Sequence, residues 1–156
     1  MKTEKGLLIK CIAIPLAVGI VASIISGGGM ESFGKLNQPP LSPPGWLFPV
    51  VWTILYVLMG VASYLIITSG GEKKEIQKAL TVYAYQLVVN FLWPTFFFNF
   101  GWYLFAFIWL VLLWILILIM ILQFYQISKP AAYLMIPYLV WVTFAGYLNL
   151  AIWWLN

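Results

Sequence analysis

The chain has 156 residues, of which 64% are apolar, 19% aromatic and 8% charged, and its mean hydropathy is +1.00. That balance lies far from the soluble average and leaves no length for a separate soluble domain, because apolar runs long enough to cross a bilayer follow one another along the chain. The net charge of +4 comes from eight lysines against four glutamates, with no Arg, Asp or His; the lysines flank the apolar runs and are interleaved with Glu, so they read as topology signals and imply no nucleic-acid partner.

The first apolar run, residues 7–26, follows Lys2 and Lys5. It is longer than the core of a signal peptide and lacks an Ala-x-Ala site before Gly27-Gly28-Gly29, so it reads as a first helix. Gly19, Ser23 and Gly27 recur at i, i+4 and i+8, a small-residue stripe that lets a helix or a ligand approach closely. Pro15 frees the carbonyl of Cys11, and a kink is expected there. Cys11, the single cysteine, excludes an internal disulfide and reads as a small buried filler.

Residues 27–45 form a long loop carrying Glu31 and Lys35, and loops of this length are often lids or binding loops. Pro39, Pro40, Pro43 and Pro44 hold it extended ahead of Gly45 and Trp46. The segment is either a preformed lid-like strap or a stiff connector with an interfacial tryptophan anchor. Further helices are expected at about 46–68, 77–98, 102–125 and 131–154, divided by the charged turn around Gly70 to Glu75 and by Lys129-Pro130. Runs of this length without period-two alternation exclude barrel strands. The expected fold class is an all-α integral membrane protein, a five-transmembrane-helix bundle in which residues 1–156 make a single domain.

With five spans, Lys2, Lys5, Lys10, Lys73, Lys74, Lys78 and Lys129 share one side and Lys35 faces the other. The positive-inside rule then places the N-terminus in the cytoplasm, with the proline-rich loop and the C-terminus outside.

Depth brings a set of residues together. At about 1.5 Å per residue, Trp52 and Tyr56 lie roughly 10 and 15 Å below the loop-side surface on the second helix. Asn90 and Trp93 lie about 12 and 7 Å below it on the third. Asn149, Ala145 and Trp141 lie roughly 8, 14 and 20 Å below it on the fifth, with Gly19 and Ser23 in the same half on the first. Phase agrees: Gln86, Asn90, Trp93 and Phe97 form one stripe, as do Trp141, Ala145 and Asn149, and Trp52, Tyr56 and Gly60. Pro94 is expected to break the third helix at the carbonyl of Asn90. Amides in hydrocarbon need partners, so Gln86, Asn90 and Asn149 should face inward, either as glue between helices or as orienting groups of an apolar pocket in the outer leaflet.

These residues resemble the translocator protein family, also called tryptophan-rich sensory proteins or peripheral-type benzodiazepine receptors. The matching pieces are Pro43-Pro44-Gly45-Trp46 with Phe48, Val51-Trp52-Thr53-Ile54-Leu55-Tyr56 and Met59-Gly60; then Gln86-Leu87, Asn90, Trp93 and Phe97-Phe98. They close with Pro137-Tyr138-Leu139-Val140-Trp141, Phe144-Ala145 and Leu148-Asn149, so the likeness spans essentially the whole chain. It implies a five-helix receptor that binds porphyrins, notably protoporphyrin IX, and isoquinoline or benzodiazepine-type ligands between helices 1, 2, 3 and 5. By motif position Trp52, Asn90, Trp93, Trp141, Ala145, Leu148 and Asn149 would line that site. Animal members carry a Tyr followed shortly by Lys or Arg near the C-terminus as a sterol pattern. Here Tyr147 is followed by no basic residue, which points to a bacterial-type member in a cytoplasmic membrane.

Without His, Asp or Arg there is no acid–base pair, triad or ordinary metal cluster, and only Tyr, Met and Cys11 remain as axial ligands for a haem iron. No cofactor is expected; a metal-free porphyrin, as ligand or substrate, suits stacking on indoles. The resemblance adds light-dependent porphyrin breakdown, for which Trp52 and Trp141 are the candidate electron-exchanging, and in that sense catalytic, residues. The expected partners are porphyrin, other hydrophobic small molecules and membrane lipid, and a homodimer is compatible with the chain. Two other functions stay open: a small transporter of porphyrin-like anions, for which the chain shows no inverted repeat or intramembrane charge, and a scaffold regulating a membrane partner.

Overall fold

The structure, a computed structural model, describes residues 2–27 and 34–156. Among the described residues five helices follow one another: α1 (Lys2–Ser26), α2 (Leu47–Ile67), α3 (Lys73–Pro94), α4 (Tyr103–Ile127) and α5 (Lys129–Leu155). Every regular element among the described residues is helical. Residues 28–33, and with them Glu31 of the expected loop, lie outside the described residues.

Among the described residues four helices are long and apolar enough to cross a membrane: α1 over Glu4–Ser26, α2, α4 and α5. Helix α3 falls short on composition. Lys73, Lys74, Glu75 and Lys78 crowd its first turns, and Gln86 and Asn90 interrupt its apolar run.

One of the prolines, Pro94, acts differently from expectation. Helix α1 runs through Pro15 without interruption. The Cys11 carbonyl, which Pro15 cannot serve, faces the backbone of α2 at Gly60, where an added Cβ would sit 2.7 Å from that oxygen and closer still to the Cα of Ile12. A second glycine, Gly19, lies flat against the ring of Tyr56. Helix α3 likewise continues past Asn90, and the disturbance expected at that residue comes after Pro94. There the chain widens into a π turn over Thr95–Asn99, with the Phe100 N–H donating to the Thr95 carbonyl at 3.0 Å. The shifted phase turns Phe97 and Phe98 toward the bundle interior.

Helix α1 packs on α2, α4 on both α3 and α5, and α5 on α2. The main core is Met59, Ala62 and Ile66 from α2, Ala79 and Tyr83 from α3, Leu113, Ile117, Met120 and Phe124 from α4, and Met135, Tyr138 and Val142 from α5. A smaller cluster at the loop end joins Phe97, Ala106 and Ile152, with Leu36 of the loop packed on it.

The loop is tied to the end of α5. The Asn37 backbone N–H donates to Asn156 Oδ1 at 3.1 Å, Asn37 Nδ2 to the Leu155 carbonyl at 3.3 Å, and Asn156 Nδ2 back to the Asn37 carbonyl at 3.1 Å. Tyr147 adds its hydroxyl to the Pro40 carbonyl at 2.7 Å.

Candidate functional site

A cavity of about 420 Å³ occupies the loop-side half of the bundle, within the usual range for small-molecule sites. Helix α1 supplies Leu16, Gly19, Ile20 and Ser23; α2 supplies Phe48, Pro49, Trp52, Thr53 and Tyr56; α3 and its π turn supply Asn90, Trp93, Phe97 and Phe98. Helix α5 supplies Trp141, Ala145, Leu148, Asn149 and Ile152, and α4 closes the back with Leu110 and Leu113. No Lys or Glu lines it among the described residues.

Aromatic rings form its walls. Trp52 stacks on Tyr56 (centroids 5.7 Å apart, planes 28°) and meets the edges of Tyr138 at 6.3 Å and Trp141 at 6.5 Å. Phe48 meets Trp141 edge-on at 5.9 Å. Opposite, Trp93 stacks on Phe97 (5.0 Å, 24°) and meets Phe98 edge-on. Such contacts fix ring orientation and each contribute roughly 0.5–1.5 kcal/mol beyond area burial.

The amides serve the protein itself. Asn90 Oδ1 accepts from the Tyr56 hydroxyl at 2.7 Å, and Asn90 Nδ2 donates to the Tyr138 hydroxyl at 2.7 Å. Tyr138 in turn donates to Gln86 Oε1 at 2.7 Å. Asn149 Oδ1 accepts from Trp93 Nε1 at 3.1 Å while its Nδ2 donates to the Tyr103 carbonyl at 2.7 Å. Buried polar groups in hydrocarbon are costly unless paired, and these pairings tie α2, α3, α4 and α5 together around the cavity. Of the two readings open for Asn90 and Asn149, both side chains border the cavity and both act as glue.

One buried indole donor is left over. Trp141 Nε1 is buried and has no hydrogen-bond partner among the described residues, whereas the indole N–H groups of Trp93, Trp109 and Trp114 are all paired. Trp141 lines the cavity, but this nitrogen is itself buried, so a ligand oxygen reaches the N–H only if the indole turns. An unmade bond of this kind costs about 1–3 kcal/mol.

Gly19, Ser23, Trp52, Tyr56, Asn90, Trp93, Phe97, Trp141, Ala145, Leu148 and Asn149 all border the cavity; depth and phase single out all of these but Leu148, which only the resemblance supplies. Gln86 does not: it is fully buried beneath the floor, with Tyr138 on one side of its amide and the Met59 sulfur 4.0 Å away on the other. The stripe through Gln86 and Asn90 is continuous, but Tyr138 crosses it and seals Gln86 off. Tyr138 was not among the expected site residues, although its spacing of three before Trp141 and seven before Ala145 marks it as part of the same stripe. The α4 wall was also missed; that helix is apolar on every side, so phase gives no sign of which face turns inward. The described part of the loop, residues 34–46, contributes nothing to the lining.

The fold and site together define a helical membrane protein built around a ligand-sized, uncharged aromatic cavity. The sequence matches the TspO/MBR family over residues 11–155. It is 41% identical over 147 residues to the tryptophan-rich protein TspO of Chlorobaculum tepidum, covering 94% of this chain and 93% of that one. It is 34% identical over 150 residues to its namesake in Archaeoglobus fulgidus (96% of each) and 38% identical over 136 residues to the translocator protein of Bos taurus (85% and 79%). The chain belongs to the TspO/MBR family and is an integral membrane protein.

Proposed function

We propose that the protein is a membrane receptor for flat, largely apolar ligands bearing an acceptor oxygen, with porphyrins such as protoporphyrin IX and isoquinoline or benzodiazepine-type compounds as its ligand classes. The observation that carries this reading is a cavity walled by the Trp52–Tyr56 and Trp93–Phe97 stacks, with no Lys or Glu among its described lining residues. In this reading a planar ring system lies against the Trp52–Tyr56 and Trp93–Phe97 stacks, and its carbonyl or carboxyl oxygen accepts from Trp141 once that indole turns toward it. With no cationic group in the lining, an ionised carboxylate is better left at the mouth, where headgroups and water solvate it.

A receptor is favoured over a transporter by the floor. Met59, Gln86 and Tyr138 are fully buried below the cavity, and alternating access would have to break the Tyr56–Asn90–Tyr138–Gln86 chain. A photochemical role has one supporting observation: Trp52 and Trp141 touch each other and both line the cavity, so either indole can pass an electron to a photoexcited porphyrin. In this reading α3 with its π turn is the fifth span, the N-terminus is cytoplasmic and the cavity lies in the outer leaflet.

Tryptophan-quenching titration with protoporphyrin IX tests the binding. Trp141→Phe keeps the ring and removes the donor, so affinity should fall by about 1–2 kcal/mol, the net worth of one hydrogen bond with some desolvation relief. Equal affinity in this variant would remove Trp141 as the orienting group.

A further inference from the structure

We propose that the corner where α4 turns into α5, made by Tyr125, Lys129 and Tyr133, holds the headgroup of an anionic phospholipid of the phosphatidylglycerol class in the leaflet away from the loop. This corner lies at the opposite end of the bundle from the cavity, and its occupancy does not depend on what the cavity binds.

Charge singles out this corner. In the stretch 79–156 Lys129 is the only charged side chain. It is exposed, and among the described residues it joins no ion pair. Its Nζ lies instead 5.5 Å from the centroid of the Tyr125 ring. A ring face attracts an ammonium without occupying its N–H groups, so all three donors stay free for a phosphate. Tyr133 stands edge-on to Tyr125, with centroids 6.2 Å apart and planes at 63°. Lys129 and Tyr133 are four residues apart on α5 and share a face, and the extended backbone of Ser128 (φ −149°, ψ 111°) ends α4 just before them. Both tyrosine rings are exposed, and neither hydroxyl has a hydrogen-bond partner among the described residues.

The inner side of the turn fixes its outer side. Phe124, Ala131, Ala132 and Met135 are almost completely buried, and the small alanines let α4 and α5 close on each other. Tyr125 and Tyr133, each next in sequence to one of these, point outward. Leu122 and Ile136, three residues further into each helix, are exposed as well, about 4.5 Å deeper. The surface therefore carries a cation at its tip, two amphipathic rings at the level where such rings settle, and bare hydrocarbon beneath. A phospholipid has the same order: anion outermost, ester oxygens next, acyl chains below. An acidic peptide has nothing to lay along Leu122 and Ile136. A zwitterionic headgroup brings a second cation toward Lys129, so net negative charge is preferred. The lysines at the start of α3, Lys73, Lys74 and Lys78, are interleaved with Glu72 and Glu75, which offsets part of their attraction; α4 and α5 contain no acidic residue.

The test uses the full chain in mild detergent, equilibrated with equal amounts of phosphatidylglycerol and phosphatidylcholine carrying the same acyl chains, and native mass spectrometry reads the lipid retained. Wild type should keep its first phosphatidylglycerol in preference to phosphatidylcholine. Lys129→Gln should weaken that lipid's binding by about fivefold, the worth of one lysine at an anionic surface, and Lys129→Arg should restore it. Lys74→Gln removes the same charge from the same end of the bundle and should leave the binding unchanged. Tyr125→Leu combined with Tyr133→Leu keeps the apolar bulk and should weaken it by about two- to fivefold, the range of an exposed cation–ring contact. All four positions are exposed, so circular dichroism should find each variant as helical as wild type. Equal retention of the two lipids by wild type overturns the headgroup assignment. A loss in Lys74→Gln as large as in Lys129→Gln means a diffuse field in place of a site and overturns it equally. Unchanged binding in the double tyrosine variant removes the rings and with them the cradle.

Discussion

Replacing Gly60 with alanine ought to help a helix, since alanine is favoured over glycine by roughly 1 kcal/mol in a helix interior. The structure reverses that expectation. A Cβ at Gly60 would lie 2.7 Å from the Cys11 carbonyl oxygen, short of a comfortable contact of about 3.5 Å by about 0.8 Å, and nearer still to the Ile12 Cα. Both neighbours are backbone, so no rotamer change relieves the clash and α1 must move outward as a body. Overpacking of this sort costs about 1–3 kcal/mol, and the displacement also loosens the Gly19–Tyr56 contact on the cavity wall. Gly60→Ala should therefore lower stability by up to about 2 kcal/mol after the propensity gain is deducted, with weaker ligand binding alongside. Gly146 on α5 is the control: the nearest atoms to an added Cβ are 3.9 Å away, so Gly146→Ala should be neutral or slightly stabilising. Reversible unfolding in mixed micelles, followed by circular dichroism, measures both. A Gly60→Ala protein as stable as Gly146→Ala would refute the close approach of α1 and α2.

Ala145 borders the cavity between Trp141 and Asn149, so Ala145→Thr should weaken binding of bulky isoquinoline-type ligands by about 1–3 kcal/mol through overpacking, with the fold intact by circular dichroism; unchanged affinity would place the methyl outside the ligand's path. A reporter active only in cytoplasm, fused after Asn156, should be silent if seven of the eight lysines mark the inner side, and strong activity would invert the orientation. Trp52→Phe with Trp141→Phe should retain protoporphyrin IX binding yet lose most of the light-dependent spectral change seen with saturating protein, because a phenyl ring is far harder to oxidise than indole. Bleaching at the wild-type rate would leave only binding.

Helix number and approximate bounds were legible because apolar runs and charged turns punctuate the chain plainly. The cavity was legible for a second reason: amides and indoles are scarce in hydrocarbon, so Asn90, Trp93, Trp141 and Asn149 stand out and their depths coincide. What escaped the sequence was direction within a helix. Gln86 shares a stripe with Asn90 yet lies under the floor, because a buried tyrosine from α5 reaches across. Nothing local distinguishes Leu110 and Leu113 from the other apolar residues of α4. Pro15 and Pro94 announced unserved carbonyls, but whether the chain answers with a kink, a close glycine or a π turn depends on the neighbouring helix. The unpaired N–H of Trp141 was invisible for the same reason: an orphan is defined by everything around it.

The two glycine contacts also bear on how the protein assembles. They join α1 to the helix that follows it, and α4 packs against the helix that follows it, so each pair can dock as a hairpin soon after insertion from contacts close in sequence. The cavity then lies along the seam where the first hairpin meets α3 and the second. A seam with a void has fewer packing contacts than the hairpins it joins, which makes it the weakest joint of the bundle. A molecule filling that void binds only the fully docked arrangement, and at a hundredfold excess over its dissociation constant it adds about 2.7 kcal/mol to the docked state. If the cavity takes a ligand, the supply of that ligand would then set how much of the newly made chain survives as a closed bundle.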